Sequence, residues 1–402
     1  MKLSIASIRG TPTKAGAQQG WSLLITMTLP VMGVVLLSPT LPMLNAHFPG
    51  HPYLVATALT APGLCIALLS PAAGYLVDHL RRRTMLLCAL ATYAAFGVAP
   101  MFVDDILGVV ITRFALGIAE AVIMTTCFAL LADYFEADER GRWLAYLASF
   151  IAFAATAFYM LGGYLGTLSW RAPFAAYGMS VLVFLLAVLV LFEPRRALPS
   201  AARADTVPKQ GTLINRRLLG TLLLTTLGAI LFFIVPVQFP MLLNENGAQS
   251  SLGIGVLLAC AGLGNPLGAL VFRWTWRFST SMNLACAFLI SGIGLLLAAS
   301  SKDAAIDTAG ACLNQLGAGL TYPVLMGAVM NQLPPYLRGR GGGMWWSAFF
   351  IGQFLCPLVV LRWAELTGGR FSGAFGGLGV VCLIAAAGAW ATRGWSPKPA
   401  NS

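Results

Sequence analysis

Hydrophobic residues make up 58% of this 402-residue chain and charged residues only 10%, against about 25% charged in soluble domains, so a water-soluble body of this size is excluded. The net charge is +11, yet the basic residues collect in short runs between apolar segments. That pattern reads as membrane orientation and implies no nucleic-acid partner.

The chain opens on "MKLSIASIRGTPTKAGAQQG", which has Lys2, Arg9 and Lys14 but no apolar core for a cleavable signal. Residues 1–20 are therefore expected to form a cytoplasmic tail. A spanning helix needs about 20 apolar residues, and twelve segments qualify: 22–46, 53–77, 85–103, 106–132, 143–168, 173–192, 218–243, 251–272, 281–300, 305–332, 344–364 and 373–392. None alternates polar and apolar residues as a barrel strand would, so the fold class is an all-α membrane protein with twelve transmembrane helices. Residues 193–217 form a polar, proline-containing linker. The expected plan is a six-helix bundle (21–192), this linker, a second six-helix bundle (218–393) and a tail (394–402). Arg81 to Arg83, Arg140, Arg142, Arg273, Arg277, Arg338, Arg340 and the linker all fall on one face. The positive-inside rule puts that face and both termini in the cytoplasm, in a multi-pass protein of a bacterial inner membrane. The eight cysteines lie inside apolar runs, without metal-site spacing.

The two halves resemble each other. "RGR" occurs at Arg140–Arg142 and Arg338–Arg340, and "PML" at Pro42–Leu44 and Pro240–Leu242, with the same offset. "SPAAG" at Ser70–Gly74 faces "NPLGA" at Asn265–Ala269 at nearly that offset. Parallel repeats of this kind are a transporter architecture, with the substrate between the halves.

"GYLVDHLRRR", Gly74 to Arg83, follows the second apolar run. It resembles the Gly-x-x-x-Asp-Arg-x-Gly-Arg-Arg motif of the major facilitator superfamily through Gly74, Asp78, Arg82 and Arg83, with His79 and Arg81 as departures. Gly74 permits close helix approach. Asp78 can cap a helix or pair with an arginine. The arginines can pair with acids on neighbouring loops; in "ADYFEADERGR", Asp133, Glu136 and Arg140 are the expected partners. Such pairs would form a cytoplasmic gate, closed in the outward-facing state and broken in the inward-facing one. His79 could make that gate pH-sensitive.

"RFALGIAEA" resembles the family's Arg-x-x-x-Gly signature in helix 4 through Arg113 and Gly117, an arginine associated with proton movement in proton-coupled members. Independently, Arg113 and Glu120 are ionisable groups inside an apolar run, which mark a substrate or proton path. Seven residues apart, they share a face, but a rise of about 10 Å keeps them from pairing directly. Glu120 can exist protonated at modest cost and is the first candidate for a proton carrier. "GGYLGTLSWRAPF" resembles the family element "GG-x-L … WR-x-x-F" through Gly162, Gly163, Leu165, Trp170, Arg171 and Phe174. The glycine–proline pair typical of antiporters is replaced by Phe158-Tyr159, which leaves uniport or import open.

Met43, Met124, Thr125, Gln238, Phe239, Asn314, Gln315, Tyr322 and Gln353 are the expected cavity residues, a set suited to an amphipathic or neutral-to-acidic molecule. No phosphate-cradling loop, metal set or catalytic cluster stands in the sequence, so no enzyme and no cofactor is expected, and a proton gradient is the driving force. The resemblance implies a secondary transporter exporting a small organic molecule. Uptake or facilitated diffusion of a metabolite and a non-transporting sensor are the alternatives. The remaining expected partner is membrane lipid, and analogy implies a monomer.

Overall fold

A computed structural model describes residues 15–194, 215–247, 250–334 and 337–392. All regular structure among them is helical. In chain order the helices are α1 (Ala17–His47), α2 (Pro52–His79), α3 (Arg82–Phe102), α4 (Ile106–Tyr134), α5 (Ala137–Gly166), α6 (Ala172–Val190), α7 (Arg216–Glu245), α8 (Ser251–Thr275) and α9 (Thr280–Ser300). They continue with α10 (Ala304–Asn331), α11 (Arg338–Leu366) and α12 (Phe371–Ala391). Eleven are long and apolar enough to cross a membrane. The exception, α10, has the length at 28 residues but carries Asp307, Asn314 and Gln315, all buried. The expected count of twelve spans thus rests on a helix whose polarity is turned inward. Most of the expected linker and tails lie outside the described residues.

Local chemistry sets the helix ends. Asp105 accepts from the Gly108 N–H at the start of α4, Asn215 from Leu218 before α7 and Ser279 from Met282 before α9; each supplies an acceptor to an N–H that the helix itself leaves free. Past the end of α11, Gly368 and Gly369 take positive φ, 79° and 81°, the left-handed conformation that closes helices cheaply only at glycine. Two helices are broken in ways the spans 22–46 and 251–272 do not anticipate. α1 divides into Ala17–Thr26, Leu29–Val35, a 3₁₀ turn at Ser38–Thr40 and Leu41–His47, because Pro30, Pro39 and Pro42 cannot donate to the ladder. α8 interrupts its ladder at Leu263, where Pro266 removes the bond to Gly262.

Helices α1–α6 pack on one another, as do α7–α12, and the two bundles meet through four pairs: α1 with α7 and with α8, α2 with α11 and α5 with α8. We call the side where α1 begins and α12 ends the basal face, and the opposite side the distal face. The Ser38 hydroxyl donates to the Pro236 carbonyl, 198 residues away. That separation equals the repeat offset, so symmetry-equivalent points of the two halves touch and the contact lies on the pseudo-twofold axis. Large apolar side chains such as Phe102, Phe153 and Leu189 point outward, as lipid-facing residues do.

The halves close at the distal side. A Cβ added at Gly163 would stand 2.7 Å from the Ser251 carbonyl oxygen, and one at Gly255 would stand 2.5 Å from that of Tyr159. Only glycine allows α5 and α8 to approach backbone to backbone in this way. The Ser251 hydroxyl reaches the Met43 sulfur at 3.0 Å, and the Tyr53 hydroxyl donates to Glu365 at 2.7 Å, joining α2 to α11. Towards the basal side the last hydrogen bond between halves among the described residues is Ser347 to the Ala67 carbonyl, 2.9 Å. Beyond it, Leu68, Tyr75, Leu76 and Asp78 of α2 are exposed. Among the described residues the molecule is shut distally and parted basally.

Candidate functional site

The break in α1 positions the central polar cluster. Gly33 lies two residues before the end of the Leu29–Val35 segment, where helical carbonyls lose their N–H donors. Arg113, fully buried on α4, fills that need. Its Nη2 donates to the Gly33 carbonyl at 2.6 Å and to the Tyr177 hydroxyl at 3.0 Å, and its Nε to the Ala58 carbonyl at 3.3 Å. The guanidinium stands 4.9 Å over the Tyr177 ring, and Tyr177 itself donates to Gly33 at 3.1 Å. Tyr93 of α3 ties the same segment by donating to the Leu29 carbonyl at 2.8 Å.

Glu120 is 1% exposed, and its Oε1 has no hydrogen-bond partner. A side chain at Gly33 would collide with that oxygen, so the carboxyl lies directly on the α1 backbone. Arg113 and Glu120 form no ion pair among the described residues. They meet instead through one residue: Arg113 holds the Gly33 carbonyl while Glu120 rests against its Cα. Gly33, Tyr93 and Tyr177 were not singled out in the sequence. The only signal for them is a tyrosine or glycine inside an apolar run, which packing alone explains equally well.

The expected cavity residues do not share one pocket. Gln238 lies with Leu41, Asn45, Val55 and Met241 in a distal crevice between the halves, and Met43 sits beside Ser251 in the distal seam. Gln353 packs on Gly63 across α2 and α11. Phe239 is buried. Gln315 donates to the Phe232 carbonyl at 2.9 Å and to Asn314 at 3.3 Å inside the second bundle. Thr125 bonds its own helix at Ala121 and is the nearest neighbour of Gly74, while Met124 is half-buried. Tyr322 alone joins a recess, between α7, α10 and α11, lined by Thr225, Phe232, Leu325, Trp345 and Phe349. Trp345 is 1% exposed and its indole N–H has no acceptor, a state that costs about 1–3 kcal/mol for a buried donor.

On the basal face, Arg82 pairs with Asp133 and lies 3.7 Å from Asp78. Glu136 precedes α5 and Arg140 is in its first turn; neither forms an ion pair among the described residues. The Arg82–Asp133 pair is made while the basal side is parted, because both residues belong to the first bundle. It fastens the α2–α3 turn to α4 rather than one half to the other. A residue not foreseen completes the clamp: the Glu193 carboxylate, just past α6, accepts from the Arg82 and Arg83 backbone N–H groups at 2.8 and 3.0 Å. Arg83 returns a bond to the Val188 carbonyl at 2.6 Å. Glu193→Ala should cost about 1 kcal/mol at this helix start, as lost caps do. The check is hydrogen exchange over residues 82–86, where protection is expected to fall about fivefold; unchanged protection would show that Glu193 does not hold the turn.

Two helical bundles, closed on one side and parted on the other among the described residues, with a buried pair of ionisable groups inside the first, define a membrane transport protein. Residues 23–357 match the family model described as Major Facilitator Superfamily. The uncharacterised MFS-type transporter YceJ of Bacillus subtilis is 25% identical over 329 residues, 79% of this chain and 82% of that one. Tetracycline resistance protein, class E, of Escherichia coli is 27% identical over 359 residues, 84% of this chain and 85% of its own. Among solved structures, a bacterial homologue of the human lysosomal transporter Spinster, inward-facing and occupied, superposes with a TM-score of 0.72 at 16% identity, over 96% of this chain and 100% of that one. The chain belongs to the Major Facilitator Superfamily and is a transporter rather than an enzyme.

Proposed function

We propose that this protein exports a small organic molecule in exchange for protons, with the basal face and both termini in the cytoplasm. The observation that carries the reading is Glu120, 1% exposed, its Oε1 buried without a hydrogen-bond donor and seated against Gly33. An ionised carboxylate there bears a large desolvation cost, which a proton removes. When the proton leaves, the nearest cation is Arg113, held on the other side of the same glycine. Drawing Arg113 towards the carboxylate releases the Gly33 carbonyl and loosens α1 at its break. Five residues on, Ser38 is bonded to α7 of the other half. Proton loss or gain is thereby passed through α1 to the contact on the symmetry axis, about which the halves rock. The drug-resistance name of a relative similar over most of its length supports export.

A second reading, proton-coupled uptake, is favoured by Phe158-Tyr159 standing where antiporters of this family have glycine–proline. Everted membrane vesicles with an acidified lumen separate the two. Adding tetracycline, ethidium or acriflavine outside should raise lumenal pH if the drug enters in exchange for protons. A fall in lumenal pH would establish symport instead, and no response to any compound in a broad panel would remove the proton-coupled reading.

A further inference from the structure

The two halves have diverged at their basal ends. At the offset of 195 that sets Ser70–Gly74 against Asn265–Ala269, Arg82 falls on Arg277 and Asp78 on Arg273. At the offset of 198 that sets one "RGR" on the other, Asp133 falls on Asn331 and Glu193 on Ala391. The second half keeps the cation of the basal clamp and has lost each of its acids. Its α8–α9 turn is held by other means: Asn283, buried near the start of α9, donates to the Thr275 and Phe278 carbonyls at 3.0 and 3.3 Å. Arg273 and Arg277 are left exposed, with no ion pair among the described residues. The basal face of α7–α12 carries Arg216, Arg217, Arg273, Arg277, Arg338 and Arg340 and, among the described residues, no Asp or Glu; Glu245, Asp303, Asp307 and Glu365 of this half are distal.

We propose that the basal end of α8 binds the headgroup of an anionic phospholipid, with an acyl chain lying along the helix beyond it. Leu263, Leu267, Leu270 and Trp274 recur at spacings of three and four, so they share a face, and all four are exposed. At 1.5 Å per residue the stripe is about 16 Å long, the depth of one hydrocarbon leaflet. At its basal end Trp274, Trp276 and Phe278 are exposed, and indoles settle at headgroup level. Arg277 stands 5.7 Å over the Trp276 ring, so its guanidinium is carried at that same level. Arginine meets phosphate through paired N–H groups. A zwitterionic headgroup would bring a cation of its own among these arginines, and no acid on this face receives it. An anionic headgroup brings none. An acidic peptide would match the charge but leave the leucine stripe uncovered, so lipid fits both parts of the surface. The proposal goes beyond the export reading and stands without it.

The test is native mass spectrometry of the full-length protein in detergent, titrated with phosphatidylglycerol or phosphatidylcholine of the same acyl chains. The first phosphatidylglycerol should bind about tenfold or more tighter than the first phosphatidylcholine. Arg273→Gln combined with Arg277→Gln should weaken phosphatidylglycerol about thirtyfold, the effect of two cations at a headgroup, and leave phosphatidylcholine unchanged. Arg338→Gln with Arg340→Gln, on the same face but away from the tryptophans, should leave the first phosphatidylglycerol in place. Equal affinity for the two lipids would overturn the proposal, as would equal losses in the two double variants, which would mean a diffuse positive face rather than a site. Displacement of the lipid by millimolar glycerol phosphate or by a glutamate-rich peptide would also overturn it, by assigning the arginines to a soluble anion. The ratio of the two lipids on the unaltered protein decides the matter even if a variant fails to fold.

Discussion

Glu120→Gln should abolish proton-driven accumulation of substrate, down to the level of empty liposomes, while substrate-for-substrate exchange persists. Glutamine matches the shape and neutrality of a protonated carboxyl, and Oε1 of the group it replaces has no hydrogen-bond partner. The fold should accordingly lose no more than about 1 kcal/mol, the scale of one altered polar contact. What disappears is the charge that would compete with Gly33 for Arg113. Proteoliposomes report both quantities: counterflow of labelled substrate without a gradient, and accumulation with one. Unchanged accumulation would remove Glu120 from the proton path, and loss of both activities would point to a structural or substrate-binding role.

Gly255→Val should hold the distal seam open. The added side chain is aimed at the Tyr159 carbonyl, a backbone atom that cannot turn aside as the end of a side chain can. Forced overpacking of this kind costs about 1–3 kcal/mol, which moves a two-state equilibrium by about 5- to 150-fold. The readout is crosslinking by a bis-maleimide spacer between cysteines placed at Tyr53 and Glu365, whose long side chains meet tip to tip across the closed seam, because a direct disulfide needs Cβ atoms about 3.5–4.5 Å apart. Crosslinking should fall in the valine background and transport with it. Full crosslinking would mean that α5 and α8 can part without opening the distal side.

The fold was largely legible because lipid leaves a clear trace: long apolar runs, short basic loops and a repeat visible in "RGR" and "PML". The broken course of α1 was not, although Pro30, Pro39 and Pro42 stood in plain sight. Proline in a membrane helix can kink it or leave it whole, depending on what neighbours re-satisfy the freed carbonyls. Here the partners are Arg113 and Tyr93, from α4 and α3, a tertiary fact that no local pattern carries. Arg113 and Glu120 announced themselves as charges in an apolar stretch, but their meeting point did not, since Gly33 matters through what it lacks. The motif offered Arg82 and Asp133 as a charge pair and hid which bodies they join. That depends on the packing of α2, α3 and α4 into one bundle. The amide and thioether residues gathered for a single cavity scatter into the seam, the α2–α11 contact and the core of the second bundle, because periodicity gives a helix face but not the depth or the neighbour.

The glycine contacts between α5 and α8 also bear on how often the molecule can cycle. A seam of interlocking leucines would freeze rotamers each time it closed, at roughly 0.5–1 kcal/mol per side chain. Gly163 and Gly255 have no rotamers to lose. Closure there trades backbone solvation for backbone contact and leaves conformational entropy nearly untouched. Opening and closing such a joint therefore cost little side-chain entropy in either direction.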